Sequence, residues 1–157
     1  MDSETRKTAL RMFTYGVYIL TSKMGSEISA STVTWVSQAS FDPPMLSVCI
    51  KRDSGSYKLV KERGEFLLHI LGKNQKDLAA TFFKRTEVEI NLINGVQYEL
   101  LNDLPCIPST PAHLHCYVQK IIEEGDHPLF LSTVNDVAVR EKNTPLELRK
   151  TGWSYGG

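Results

Sequence analysis

Several things are scarce in this chain of 157 residues, and each scarcity removes a class of function. Cysteine occurs three times, at Cys49, Cys106 and Cys116, an odd number without close spacing. That pattern excludes a disulfide scaffold or a zinc ribbon and suits reduced thiols in a cytoplasmic protein. Neither sign of charge is in excess, with 18 Lys and Arg against 18 Asp and Glu. No basic stripe invites nucleic acid or an anionic membrane. No apolar run approaches the roughly 20 residues of a membrane span, and MDSETRKTALRMF lacks the apolar core of a signal peptide. There is no G-x-S-x-G, no phosphate loop and no G-x-G-x-x-G. Repeats and low-complexity stretches are also missing, so residues 1–157 read as a single domain.

What is present is a succession of short alternating segments. Residues 3–13 suit a helix capped by Asp2 or Ser3 and ended by Gly16, with Ala9, Met12 and Phe13 on one face. VYILT (17–21) reads as a strand, and a longer loop at Lys23–Ser26 leads into a second strand over residues 28–36. MLSVCIK (45–51) alternates Leu46, Val48 and Ile50 inward. SGSYKLVKERG (54–64) is a helix with serine at its front and glycine at its end. FLLHIL (66–71) is a strand, and QKDLAATFFK (75–84) a helix with Leu78, Phe82 and Phe83 clustered. Residues 86–111 are irregular, with a short strand near Tyr98. Long strands over 113–124 and from 128 onward meet at the EGDH turn, and the tail from Thr144 is mostly loop. The expected fold is mainly β (α+β), an antiparallel split β-barrel of about six or seven strands with short helices packed outside.

Metal and nucleophile chemistry finds no support. His113 and His115 share a strand face but lack a third ligand at a recognisable spacing, and read as exposed strand histidines. Cys49 and Cys116 sit in apolar alternating runs as inert thiols.

Two stretches stand out. STVTWVSQASFDPPM (31–45) crowds hydroxyls, an indole and an amide onto a strand stopped by two prolines. Ser31, Val33 and Trp35 project to one side and Thr32, Thr34 and Val36 to the other. One face can meet a phosphate or polyol, although Thr32 and Thr34 are equally ordinary strand formers. Pro43–Pro44 holds Ser40, Phe41 and Asp42 extended, with free N–H groups for a flat heterocycle. EGDHPLFLSTV (124–134) presents His127 at the head of a strand, either as a functional group or as an incidental turn residue.

Together with GVYILTS (16–22), GEFLLHIL (64–71) and QKDLAATF (75–82), these stretches resemble the flavin reductase-like family of FMN-binding split barrels. WVSQASFDPP and RKTGWSY are also similar to the flavin-reductase domain that closes cyanobacterial flavodiiron proteins. The resemblance implies an FMN cofactor, NADH or NADPH as transient co-substrate, a homodimer and a redox partner protein. It implies that Thr32, Val33, Thr34 and Trp35 follow the ribityl phosphate and flank the ring. By the same token Ser40, Phe41 and Asp42 contact the isoalloxazine through their backbone. Lys51, Ser54, Ser56 and Lys84 receive the phosphate, a role that a helix N-terminus suits for the two serines. His127 lies where nicotinamide docks. Where family members commonly carry glycine and small residues, this chain has Ala30–Ser31 and Val33–Thr34–Trp35, and the large Trp35 shields the flavin. That shielding favours a flavoredoxin-like electron-transfer protein as the alternative to a reductase.

Overall fold

The computed structural model describes all 157 residues. In chain order α1 (Ser3–Leu10) leads into β1 (Tyr18–Met24), β2 (Glu27–Val33), β3 (Val36–Ser40) and β4 (Met45–Cys49). Next come α2 (Gly55–Arg63), β5 (Glu65–Ile70) and α3 (Lys76–Thr81). Short pieces follow, β6 (Val88–Glu89), β7 (Leu92–Ile93), β8 (Val96–Gln97), β9 (Glu99–Leu101) and β10 (Leu104–Cys106). The long pair β11 (Ala112–Ile122) and β12 (Leu129–Val139) and a final turn of helix, α4 (Leu148–Thr151), complete the order.

Seven strands form one antiparallel sheet in the order β2-β1-β5-β11-β12-β4-β3. Its two edges, β2 and β3, are consecutive in sequence, joined only by Thr34 and Trp35. Laid flat, edges six gaps apart would stand roughly 29 Å from each other. Three Cα steps from Val33 to Val36 reach at most about 11 Å. The sheet therefore curls until its edges nearly meet, a barrel left split where the chain crosses. Inside, Leu20, Val48, Phe66, Leu68, Cys116 and Phe130 come from five strands into one cluster, joined by Val60 of α2. A second cluster lies outside the barrel, where Ile19 and Ala30 meet Ala79, Phe82 and Leu148 from the α3 and α4 regions.

Some local expectations are corrected. Asp2 caps α1, accepting from the Thr5 backbone at 2.8 Å, but the helix stops at Leu10. Met12 and Phe13 lie beyond it and are exposed. No longer loop separates β1 and β2; they turn at Gly25–Ser26, where Gly25 takes φ +60°. The strand expected over 28–36 breaks at Thr34–Trp35, because barrel closure moves its second half to the opposite edge. His113 and His115 are buried, not exposed. Arg140 Nη2 donates to His113 Nδ1 at 2.9 Å, and His115 Nε2 lies 2.9 Å from Glu65 Oε2.

Candidate functional site

The split between β2 and β3 opens into a cleft of about 570 Å³, within the range of small-molecule sites. Residues 31–35 form one wall as the chain crosses. The end of β4 brings Cys49, Ile50 and Lys51, and the start of α2 brings Ser54. Phe82 and Phe83 arrive after α3, His127 from the β11–β12 turn, and Trp153–Tyr155 from the segment after α4.

One end is built for an anion. Ser54 caps α2, its Oγ accepting from Tyr57 N at 3.2 Å and donating to the Lys51 carbonyl at 2.7 Å. The first turn of this nine-residue helix holds no acidic side chain, and its leading N–H groups carry the positive end of the helix dipole. Lys51 adds a side chain that is 56% exposed and pairs only loosely with Asp53, at 3.6 Å. Ser31 and Ser56 meet hydroxyl to hydroxyl just behind this end, with Ser56 buried.

The other end is aromatic. Trp35 lies 4.5 Å from the His127 ring and 5.3 Å, edge to face, from Tyr155. Its indole nitrogen is buried with no hydrogen-bond partner. Phe83 and Trp153 meet edge to face at 4.7 Å on the same rim. His127 is held at both nitrogens, with Asp126 Oδ1 2.8 Å from Nδ1 and the Tyr155 hydroxyl 2.7 Å from Nε2. The bond from His127 holds the Asp126 carboxyl below its ordinary range, so it is a carboxylate and can only accept. In the neutral imidazole Nδ1 is then the donor, and Nε2 accepts the Tyr155 proton. Burial pushes the Tyr155 phenol up, keeping it protonated. Burial likewise raises the Cys49 thiol, which is no nucleophile at neutral pH.

Of the residues singled out from sequence, Thr32, Val33, Thr34, Trp35, Lys51, Ser54 and His127 line this cleft together. The Thr32 hydroxyl is committed to the Ala79 carbonyl at 2.6 Å, and so props the wall of the cleft. Ser40, Phe41 and Asp42 are not among the lining residues. They sit at the far end of β3, in and before a turn over 41–44, and Phe41 is 92% exposed. Strand rise alone carries Ser40 about 16 Å from the crossing. Lys84 is exposed outside the cleft, because α3 ends at Thr81 and the chain turns away. Trp153 and Tyr155 were missed as wall residues. They lie in the RKTGWSY stretch that carries part of the resemblance, but in a tail with no periodicity of its own to place them on a wall.

No group of three or more His, Cys, Asp or Glu side chains is placed to hold a metal. A hydroxylated, positively biased end opposite an apolar aromatic end suits a flat heterocycle carrying a phosphate.

The model of the flavin reductase like domain matches residues 10–154. The chain belongs to the flavin reductase-like family. It is 33% identical over 159 residues to diflavin flavoprotein A 1 of Synechocystis sp., covering 99% of this chain and 28% of that protein. A Rhizobium meliloti protein named Probable flavin reductase is 30% identical over 136 residues, covering 85% of this chain and 42% of that one. The chain thus spans less than half the length of either relative. Flavin reductase PheA2 in its native state superposes with a TM-score of 0.80 at 25% identity, covering 100% of this chain and 99% of that one. The family accounts for the split antiparallel barrel.

Proposed function

We propose that the chain binds FMN in the cleft at the Thr34–Trp35 crossing and acts as an NAD(P)H-dependent flavin reductase. Electrons pass onward to a free flavin, oxygen, a ferric chelate or a redox partner protein. The observation that carries this reading is one cleft joining a helix-dipole anion end to an aromatic end, in a chain of this family.

Bound there, a flavin would supply the redox chemistry, accepting a hydride from a dihydronicotinamide together with one proton from solvent. The protein's contribution is placement and charge. The N–H groups at the start of α2 and the Lys51 ammonium would hold the phosphate, with Ser54 fixing that helix start as its cap. Ser31, Thr34 and the backbone of 32–35 would border the polyol, and the Trp35 ring would pack against the heterocycle. Phe83 and Trp153 exclude water from the rim. His127, set against Trp35, orders the surface on which the nicotinamide docks.

Purified protein should be yellow, or become so with added FMN, and lose its absorbance near 450 nm when mixed anaerobically with NADH or NADPH. Material that never takes up FMN would end the proposal. The second reading is an FMN electron-transfer protein without its own nucleotide site. It is favoured by the filling of the space beside His127 with Trp35 and Tyr155, and bound FMN that neither nucleotide bleaches would establish it. We further propose a cytoplasmic homodimer with one FMN per barrel. Three free cysteines support the reducing compartment, and no helix is long and apolar enough to cross a membrane. A mass near 35 kDa by light scattering, about twice the 17.7 kDa chain, is the result expected for the dimer.

A further inference from the structure

His127 has no free ring nitrogen: Asp126 takes one and Tyr155 the other. Its ring is packed against Trp35, and its side chain is 13% exposed. Tyr155, by contrast, lines the cleft and is 42% exposed. Against the neutral imidazole its hydroxyl proton is directed at His127 Nε2, which leaves the oxygen lone pairs as acceptors.

The segment bearing Tyr155 is anchored along its length. The Trp153 ring packs on Phe83 and lies under the Lys76 ammonium at 5.1 Å, while its backbone N–H donates to Thr151 Oγ1 at 3.0 Å. The Tyr155 ring meets Trp35 edge to face. Arg11 Nε donates to the Gly156 carbonyl at 3.0 Å, tying the segment to the start of the chain. Gly156 lies so close to Trp35 that a Cβ there would come within 3.2 Å of the indole, and its φ of +104° is one that glycine tolerates.

We infer that Tyr155 is the residue that contacts the nicotinamide carboxamide, accepting its N–H, while His127 acts through Tyr155 as a positioning residue. This inference rests on the reductase reading. An acceptor whose own proton is committed discriminates by chemistry: it suits a primary carboxamide and has nothing to offer a ketone in the same place. The competing arrangement has the nucleotide push Tyr155 aside and bind His127 directly. The two make opposite demands on one substitution, because Tyr155→Phe removes a contact in the first and a competitor in the second.

The test is anaerobic stopped-flow reduction of FMN-loaded protein, comparing wild type with Tyr155→Phe, which keeps the ring against Trp35. The nucleotide concentration for half-maximal rate should rise about five- to tenfold in Tyr155→Phe, the effect of one lost hydrogen bond. FMN affinity, followed by flavin fluorescence, should change by less than about twofold, since the ring remains. The reduced 3-acetylpyridine analogue, whose ketone has no N–H, should lose its disadvantage relative to the carboxamide nucleotide in Tyr155→Phe. Comparing that ratio between the two proteins cancels the analogue's intrinsic reactivity. His127→Gln combined with Tyr155→Phe should weaken nucleotide binding by less than the product of the single effects. A lower half-saturation in Tyr155→Phe would overturn the inference in favour of displacement, and an unchanged one would overturn it outright. Wild-type protein that holds FMN but is bleached by neither NADH nor NADPH would defeat the reductase reading itself, and this inference with it.

Discussion

Ser54 both accepts from the Tyr57 amide and stands at the anion end of the cleft. Its two roles separate under substitution. Ser54→Ala removes the cap and should lower stability by about 1 kcal/mol, with weaker FMN binding. Ser54→Asp keeps a capping oxygen but sets a negative charge where the phosphate is to sit. Its melting temperature should stay near that of the parent while FMN affinity falls on the order of tenfold or more. Riboflavin, which lacks the phosphate, should bind both variants alike. Equal FMN affinity in wild type and Ser54→Asp would move the phosphate away from α2.

The turn between β11 and β12 owes its position to a residue on another element. Arg52, just past β4, donates through Nη2 to the carbonyls of Glu123 and Gly125, the latter at 3.0 Å. Its backbone N–H donates to the Asp126 carbonyl at 2.9 Å, and its guanidinium lies 5.6 Å over the Tyr57 ring. Arg52→Gln breaks this clamp without touching the lining of the cleft. Exchange of the Arg52 and Ile50 amides, which donate to the Asp126 and Pro128 carbonyls of the turn, should then quicken by about one to two orders of magnitude, the loss expected for charge-assisted bonds, while exchange in β5 stays slow. Unchanged protection of those two amides in that variant would assign the clamp to other contacts. None of this was legible in the EGDH turn alone, since the clamp comes from about 70 residues away in sequence. The regular pieces were legible. Leu46, Val48 and Ile50 announced β4 by alternation, and Ser54 and Gly64 marked both ends of α2. The break at Thr34–Trp35 was hidden because both are good strand residues and only closure of the sheet parts them. The burial of His113 and His115 was hidden too, as their partners Arg140 and Glu65 are remote along the chain.

Across the whole molecule, acid is the predicted weakness. His69 is fully buried: Nδ1 donates to the Ile19 carbonyl at 3.0 Å, and Nε2 accepts from Ile107 N at 3.1 Å. Burial lowers its pKa to about 3, so the native state keeps it neutral. Above pH 6.5 folded and unfolded chains both carry it neutral, and stability is full. As pH falls from about 6.5 towards 3, only the unfolded chain takes the proton, and stability drops by up to about 1.4 kcal/mol per unit. His113, lowered by burial and by Arg140, acts in the same direction. Urea unfolding at pH 7, 6 and 5 should show this slope before the carboxylates titrate. His69→Gln should start less stable at pH 7 and show a slope shallower by about one proton. An unaltered slope would clear His69 of the effect. The split in the barrel carries a consequence of its own. Residues 31–35 belong to one margin of the sheet and Cys49 to Lys51 to the strand beside the other, and both border the same cleft. A molecule seated there stitches the seam that the backbone leaves unsewn, and serves as a non-covalent cross-link. Loading the protein should therefore slow the opening of both margins together, so that occupancy and mechanical integrity rise and fall as one property.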